Sequence, residues 1–312
     1  MLAISIRYAK QRKAFGCAIA DFGAIQHKLA EMAIRIFAAE SMTWRVAGLI
    51  ESQMQAPAEP SRSSITEMQV LEEYAAECSM VKVFASEMLD YVVDEGVQIH
   101  GGYGFHQDYA VERAYRDSRI NRLFEGTSEI NRLVIMGRPL KRAARGQLPL
   151  FEAARSVLKR SEQPNLLSEK RSVNETEADR LVRNAKTIAL LTLAVAHERY
   201  GAQLEKQQEV IMNLSDIAME VFAMESALAR MKKLTLSGQG ENALDICAVY
   251  LRDATAQIEG FARTVLSACC EADVLHKHLV TVRGYADHMP VNSVALRRQI
   301  AARLLSSERY TV

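Results

Sequence analysis

The sequence predicts an all-α protein built as two helical bundles in series, and three observations lead to this fold class. The six prolines leave two long proline-free windows, and the residues that favour helices, Ala, Leu, Met, Glu, Lys and Arg, are plentiful. Apolar residues in these windows recur every three or four positions, which is the period of one helical face. No stretch has the pattern of a β-strand.

The first bundle is predicted to contain a long helix hairpin followed by a short helix. The first long helix extends over about 22–52, and a polar loop at 55–66, QAPAEPSRSSIT, interrupts the pattern. Its apolar stripe comprises Phe22, Ile25, Leu29, Met32 and Ile36. The stripe of the second helix comprises Leu71, Tyr74, Cys78, Val81, Ala85, Met88 and Val92. The short helix begins near Thr127 and ends at Gly137, because a glycine followed by Pro139 is typical of a helix end.

The second bundle follows a connecting segment that contains one short helix. We divide the chain into a first domain at 1–148, a linker at 149–177 and a C-terminal extension at 178–312. The helices predicted in the extension lie near 178–202, 204–236, 242–277 and 291–307. One apolar stripe in it comprises Val210, Leu214, Ile217, Val221, Met224 and Leu228. Such a stripe is more typical of a bundle core than of a membrane-facing surface.

The composition of the 312 residues is ordinary for a soluble globular protein, with 49% hydrophobic and 25% charged residues. The net charge of +1 gives no reason to expect nucleic acid or an anionic membrane as the main partner. The five cysteines lack CxxC spacing, and the histidines lack metal-ligand spacing, so we predict reduced thiols and no metal site. With no secretory signal and no apolar run of the ~20 residues that span a bilayer, we expect the bacterial cytoplasm, or the mitochondrial matrix in a eukaryote.

Three short motifs are suited to binding or catalysis, and each also has a simpler explanation. Arg12 lies where the N-terminal helix is predicted to end, at 15–16, and its guanidinium is either a pyrophosphate ligand or an ordinary surface charge. The glycine-rich turn at 101–104 either admits a phosphate or nucleoside closely or simply connects two helices. Glu125 stands alone on a turn, either as a catalytic base or as a solvated charge.

These motifs occur in a fixed order, which makes them more specific together than any one of them alone. They lie in RYAKQRKAFGCAIADFGAIQHKLAEMA, at 7–33, and in VQIHGGYGFHQDYAVERAYRDSRINRLFEGTSEINR, at 97–132, with one helix hairpin between them. With its R-x-x-F-G, Q-x-x-G-G-x-G and aromatic-E-G-T turns, the sequence resembles the C-terminal helical domain of the acyl-CoA dehydrogenases.

The resemblance implies a catalytic base, a substrate wall and a cofactor site. Glu125 matches the base position of the family, and Phe124 and Gly126 match positions beside the substrate thioester. The positions that match contacts to FAD are Arg12, Phe15, Gln26, Gln98, Gly101, Gly102 and Thr127. In relatives the glycine turn reaches across a dimer interface to the FAD of the other subunit.

The reaction implied by the resemblance is the oxidation of an acyl-CoA to a trans-2-enoyl-CoA in fatty-acid β-oxidation. The base removes the proton next to the thioester carbonyl, and the flavin accepts hydride from the adjacent carbon. The electrons leave through an electron-transfer flavoprotein. We expect Glu125 to lie in a water-poor pocket, which favours proton uptake by a carboxylate.

The C-terminal extension is similar to that of the very-long-chain branch of the family. In that branch the extension occupies the surface where a second dimer would dock, so we expect a homodimer and a long-chain substrate. The extended loop at 55–66 agrees with the same branch. The extension has also been linked there to membrane association.

The chain also departs from a full member of the family, which carries an N-terminal helical domain and a middle β-domain before this region. The middle domain supplies most contacts to the flavin ring, so we interpret the chain as the C-terminal part of a longer enzyme. Two alternatives stay open. One is a helical interaction or assembly module in which the motifs persist unused, and the other is a peripheral membrane module that uses the apolar stripe of the extension.

Overall fold

The structure is a computed structural model that describes residues 1–55, 67–161 and 175–312. Nearly all of these residues are helical, which confirms the predicted all-α fold class. The helices are α1 (Leu2–Gln11), α2 (Gly23–Met54), α3 (Glu67–Glu73), α4 (Ala75–His100), α5 (Ala110–Ser118), α6 (Ser128–Ala144), α7 (Leu150–Ser161), α8 (Glu177–Tyr200), α9 (Gln208–Leu236), α10 (Glu241–Cys269), α11 (Ala272–Ala286) and α12 (Ser293–Ser307). The predicted loop beyond residue 55 and most of the predicted linker after α7 lie outside the described residues.

A short hairpin follows α1, where we predicted that the helix continues to the Phe-Gly pair. Strand β1 (Lys13–Ala14) pairs antiparallel with β2 (Cys17–Ala18). The two loop residues Phe15 and Gly16 have φ of +52° and +88°, and positive values at both positions are what a type I′ turn requires. Helix α1 therefore ends at Gln11, and the expectation that the chain has no strand is wrong at this hairpin.

Helices α2 and α4 form the predicted hairpin, and α1 and α6 pack on it. Leu29 and Met32 on the stripe of α2 are fully buried, which confirms the face predicted from their spacing. The second helix of the hairpin is divided, because Tyr74 leaves the helical conformation between α3 and α4 with φ −95° and ψ 16°. Leu71, which we placed on the apolar stripe, is consequently exposed on α3.

Helix α6 continues through Pro139, although the glycine-proline pair predicted an end at Gly137. A proline inside a helix removes one backbone hydrogen bond and costs about 3 kcal/mol. Ile135, Met136 and Leu140 lie on both sides of the proline and are buried in the core. Because burying each such side chain contributes roughly 1.5–3 kcal/mol, packing outweighs the cost of the proline and sets the length of the helix.

Helices α8, α9 and α10 pack against one another at the centre of the second half, and α7 packs on α8. The apolar stripe of α9 is buried in this core at Val210, Leu214, Ile217, Met224 and Leu228. This confirms the bundle-core interpretation of the stripe. The apolar face on which the membrane alternative depended is therefore already covered by protein.

The single helix predicted at 242–277 is wrong, because the chain breaks between α10 and α11. Cys270 and Glu271 have extended backbone angles, which redirect the chain. Neither a glycine nor a proline marks this break in the sequence. It allows α11 to pack on both α8 and α10 with His278, Val282 and Tyr285 buried, so the reason for the break is tertiary packing.

The two halves of the protein share one continuous hydrophobic core. Helix α2 of the first half contacts α9, α10 and α12, and α6 contacts α9. At one such contact Arg297 of α12 bonds Glu31 of α2 at 2.6 Å and also pairs with Asp253 of α10. The domain limits at 148 and 178 stay a prediction. The helices that carry the predicted site nevertheless rest directly on the second half.

Glu220 of α9 lies at this contact between the halves and titrates in an unusual range. Its carboxylate accepts a hydrogen bond from the Tyr250 hydroxyl at 2.9 Å. Burial raises the pKa of Glu220 to about 7, against the opposing effects of the Tyr250 bond and the Arg35 charge; Asp216 and Glu87 also raise it. The folded protein therefore holds this proton more tightly than the unfolded chain does.

We expect this proton to make stability depend on pH. The stabilisation is complete below about pH 4.5, the ordinary value of a glutamate, and is lost as the pH rises through about 7. The Glu220→Gln variant keeps an acceptor for Tyr250 but does not titrate, so wild type should lose up to roughly 3 kcal/mol relative to it across that range. Urea unfolding of both proteins between pH 4.5 and 8 checks this, with exposed Glu72→Gln as the control. The prediction would be contradicted if the difference in unfolding free energy between wild type and Glu220→Gln did not change with pH.

Candidate active site

Glu125 and Gly126 form the turn that leads into α6, and both have left-handed backbone angles, with φ of +56° and +80°. Glycine adopts such angles readily, whereas they cost other residues roughly 1–2 kcal/mol. Thr127 follows as the N-cap of α6, and its hydroxyl oxygen accepts a hydrogen bond from the Ile130 N–H at 3.3 Å. The capping role of Thr127 is therefore established, and its contact with a cofactor stays a prediction.

The side chain of Glu125 is exposed, and so is that of Phe124 beside it. The water-poor pocket that we expected around Glu125 is not formed by the described residues of this chain. The turn lies at the start of α6, where the described residues leave this carboxylate open to solvent. Only a further protein surface or a bound substrate would exclude water from this carboxylate.

A cavity of about 460 Å³ brings two of the predicted cofactor motifs together. Arg12 lines it from the end of α1, and Gly101 and Gly102 line it from the 3-10 turn that follows α4. A Cβ added at either glycine would have no neighbouring atom within 4 Å, so the space beside both glycines is empty. Their lack of side chains leaves this space open to a ligand. The Arg12 guanidinium lies over the ring of Tyr103, 5.5 Å from its centroid, in a cation–π contact.

Aromatic rings form another wall of the same cavity. Tyr8 and His100 stack with their centroids 4.0 Å apart, and the Tyr8 hydroxyl donates to the backbone oxygen of His100 at 3.2 Å. Burial lowers the pKa of His100, which is therefore neutral at pH 7, and its Nδ1 donates to the Gly96 oxygen at 2.7 Å. A guanidinium beside flat rings suits a ligand that joins a heterocycle to anionic phosphates.

Tyr8, His100 and Tyr103 line the cavity but were not among the predicted site residues. The signal for Tyr8 was its position four residues before Arg12, which places both near one face at the end of α1. Tyr103 lies inside the glycine-rich motif itself. We had interpreted that motif only as a place without side chains.

The other predicted cofactor residues do not line this cavity. Phe15, at the tip of the hairpin, is 98% exposed and meets Phe22 edge-on at 6.1 Å. Gln26 donates from its side-chain amide to the Ala20 oxygen at 3.0 Å, which holds the turn before α2. Gln98 is exposed on the last turn of α4. The structure thus unites Arg12 with the glycine turn and leaves the roles of the others as predictions.

Within the described ranges, no group of three or more His, Cys, Asp or Glu side chains is arranged to hold a metal ion. Among the same residues, no helix combines the length and the apolar character that a membrane crossing needs. The described cysteines include no disulfide, and burial raises the pKa of the Cys247 thiol to about 12. The Cys247 thiol is therefore protonated and unreactive near neutral pH.

Comparison with known proteins identifies similar sequences and structures. Two family models described as acyl-CoA dehydrogenase, C-terminal domain, match residues 1–140 and 184–284. A probable acyl-CoA dehydrogenase of Bacillus subtilis is 42% identical over all of this chain and 53% of its own length. The caffeyl-CoA reductase-Etf complex subunit CarC of Acetobacterium woodii is 39% identical over 44% of this chain and 32% of its own length.

The solved structures agree with this result over the whole chain. An acyl-CoA dehydrogenase from Bacillus anthracis, crystallised with FAD, superposes with a TM-score of 0.91 at 41% identity, over all of this chain and 54% of that one. Acyl-CoA oxidase 3 of Yarrowia lipolytica has a TM-score of 0.65 at 13% identity, over 98% of this chain and 46% of that one, and shares the fold alone. The chain spans about half the length of these full-coverage matches. In both its halves it belongs to the acyl-CoA dehydrogenase family.

Proposed function

We propose that the chain is the C-terminal part of an FAD-dependent acyl-CoA dehydrogenase that converts long-chain acyl-CoA to trans-2-enoyl-CoA in fatty-acid β-oxidation. The observation that carries the proposal is the conformation of Glu125. It stands at the matching position of the family motif, on a left-handed turn at the start of α6. Strained positions of this kind concentrate at active sites, where the surrounding structure holds them.

In this proposal Glu125 is the base that takes the proton from the carbon next to the thioester carbonyl. Its exposed carboxylate is accessible to a substrate laid across the turn. Phe124, which is 47% exposed beside it, offers an apolar surface to the thioester region. Closure of the substrate over the turn would exclude the water that now reaches Glu125, and a desolvated carboxylate is a stronger base.

The residues around the cavity fit part of an FAD molecule. Arg12 would pair with the pyrophosphate, and the open glycine turn would admit the nucleotide closely. The rings of Tyr8 and Tyr103 offer surfaces for stacking. When bound, the flavin supplies the acceptor for the hydride from the substrate.

Homodimerisation and electron transfer to an electron-transfer flavoprotein complete the proposal, in the bacterial cytoplasm. The B. anthracis structure was obtained as a complex with FAD, and CarC is named as a subunit of an Etf complex. Both proteins are more than 35% identical to this chain where they match. These names support the cofactor and the electron acceptor of the proposal.

The visible absorption spectrum of the purified chain, after incubation with FAD and desalting, tests the cofactor assignment. We expect wild type to retain a flavin band and Arg12→Met to lose at least tenfold in affinity, because bonds to charged partners contribute about 1.5–3 kcal/mol. Arg7→Met, five residues earlier on α1 and outside the cavity lining, is the matched control. Equal flavin retention by both variants would contradict the role of Arg12.

A second candidate function is a helical assembly module in which the motifs persist without catalysis. The specific observation that favours it is the exposed Glu125, together with Phe15 and Phe105, which are 98% and 84% exposed. Aromatic side chains are enriched at protein–protein interfaces relative to the rest of the surface. A colourless wild-type chain after desalting would favour this candidate over the enzyme, and a separate polypeptide that carries the other domains of the family would be the expected partner.

A further inference from the structure

The turn that carries Glu125 is held by one buried amide, the side chain of Asn131. Its Nδ2 lies 2.8 Å from the Gly126 oxygen, 3.1 Å from the Thr127 oxygen and 3.3 Å from the Glu125 oxygen. Only 9% of Asn131 is exposed. Because an NH₂ group has two hydrogens, the three successive carbonyls share them, and all three are directed towards one point.

Two further features fit this arrangement. Lys82 on α4 donates from Nζ to the Gly126 oxygen at 2.7 Å, so the turn is bonded from a second helix. A Cβ added at Gly126 would lie 3.0 Å from the Asn131 Nδ2, and the φ of +80° is also unfavourable for other residues. Glycine at 126 therefore both permits the left-handed turn and admits the Asn131 amide.

These bonds offset the cost of the left-handed angle at Glu125. Without these bonds, the peptide groups of residues 125–127 could rotate. Glu125 would then return to the negative φ that most residues adopt, and its side chain would change direction. Among the described residues, no hydrogen bond or ion pair to the Glu125 carboxylate fixes its orientation. The direction of its carboxylate therefore depends on the backbone beneath it.

We propose that Asn131 is a positioning residue that aims Glu125 by holding the carbonyls of residues 125–127. The inference rests on the proposed role of Glu125 as the base. Asn131 touches neither the substrate nor the cofactor in this account. It acts only through the backbone of the turn.

The rate at which a glutamate-specific endoprotease cleaves the Glu125–Gly126 bond measures how firmly the hydrogen bonds keep the turn in its native conformation. Under native conditions we expect Asn131→Ala to be cut there roughly tenfold faster than wild type, with the site identified by mass spectrometry. Asn131→Asp is the sharper variant, since it keeps the shape but presents a negative charge to three carbonyl oxygens. Asn131→Gln keeps the amide and should restore part of the protection.

Two other variants keep the test decisive. Lys82→Met removes the second bond from a side chain outside the core, so it should fold and be cut about threefold faster. Asn213→Ala removes one amide bond to the Glu209 oxygen on α9 and is the control for general loosening. Unchanged cleavage at Glu125–Gly126 in Asn131→Ala and Asn131→Asp would overturn the proposal.

A kinetic measurement separates positioning from a structural role and from the proposed function itself. With FAD, palmitoyl-CoA and a dye acceptor, Asn131→Ala should lower kcat roughly tenfold or more and change KM less than about threefold, and Asn131→Gln should recover part of kcat. Faster cleavage with unchanged kcat would overturn the positioning role. Turnover that survives in Glu125→Gln would instead refute the proposed base, while the cleavage result would still decide whether Asn131 holds the turn.

Discussion

The Glu125→Gln variant should lose α-proton abstraction by roughly 10²–10⁴-fold, the usual contribution of a positioned general base. Glutamine has nearly the same shape, and the backbone bonds of the turn to Asn131 and Lys82 do not involve the side chain that is changed. Flavin binding should stay as in wild type, because Glu125 does not line the cavity with Arg12. Solvent deuterium entering the carbon next to the thioester of palmitoyl-CoA, in the presence of FAD, measures the step directly.

The exposed carboxylate of Glu72 on α3 provides the control, and Glu72→Gln should exchange at the wild-type rate. Deuterium exchange that persists in Glu125→Gln would mean that another group is the base. If deuterium exchange and the flavin band are both lost, the substitution has disturbed the fold of the cofactor site, and the loss of exchange does not identify the base. The two readouts therefore distinguish a missing base from a missing cofactor.

The Arg132→Met variant should cause the largest loss of stability, about 3 kcal/mol, because it leaves the largely desolvated Asp216 and its neighbour Glu87 without their counter-ion. Arg132 follows Asn131 on α6 and is 16% exposed in its side chain. Its guanidinium bonds Glu87 of α4 in a bidentate pair at 2.6 and 2.9 Å, and Asp216 of α9 at 2.7 Å. One side chain thus joins the turn-bearing helix to both halves of the protein.

The electrostatics of this group show why the loss should be large. Burial lowers the pKa of Arg132, but the bonds and charges of Glu87 and Asp216 outweigh it and raise the pKa overall. Burial raises the pKa of Asp216 in spite of Arg132, so this carboxylate is already costly to keep charged. Without the arginine, Asp216 would have to take up a proton or draw water into the contact between α6 and α9.

Urea unfolding measures this prediction as a shift of the midpoint at constant slope. Arg116→Met is the matched control, because Arg116 is 73% exposed and pairs with Glu112 on the surface of α5. Arg116→Met should leave the urea midpoint close to that of wild type, because exposed ion pairs contribute little to stability. The double variant Arg132→Met/Asp216→Leu should recover part of the loss. A double variant no more stable than Arg132→Met would show that the missing charge pair is not the cause.

Part of the candidate site was predictable because its residues lie in short motifs. Arg12, the glycine turn and Glu125 were found from residue types at fixed spacings, and the structure brings Arg12 and the glycine turn to one cavity. The aromatic wall was missed because Tyr8 and His100 are far apart in the chain and meet only through the packing of α1 on α4. Asn131 was missed because a helical asparagine resembles any other surface polar residue until its three acceptors are known.

The amino-acid sequence by itself determined the helical class, the position of most helices and the order of the site motifs, because helix period and propensity act between residues three or four apart. Only the tertiary structure decided that α6 continues through Pro139 and that the chain breaks at Cys270. It also decided that Glu125 is exposed on a turn held by Asn131. These features depend on burial and hydrogen bonds between separate helices, and such terms exceed the small local preferences that a sequence pattern reveals.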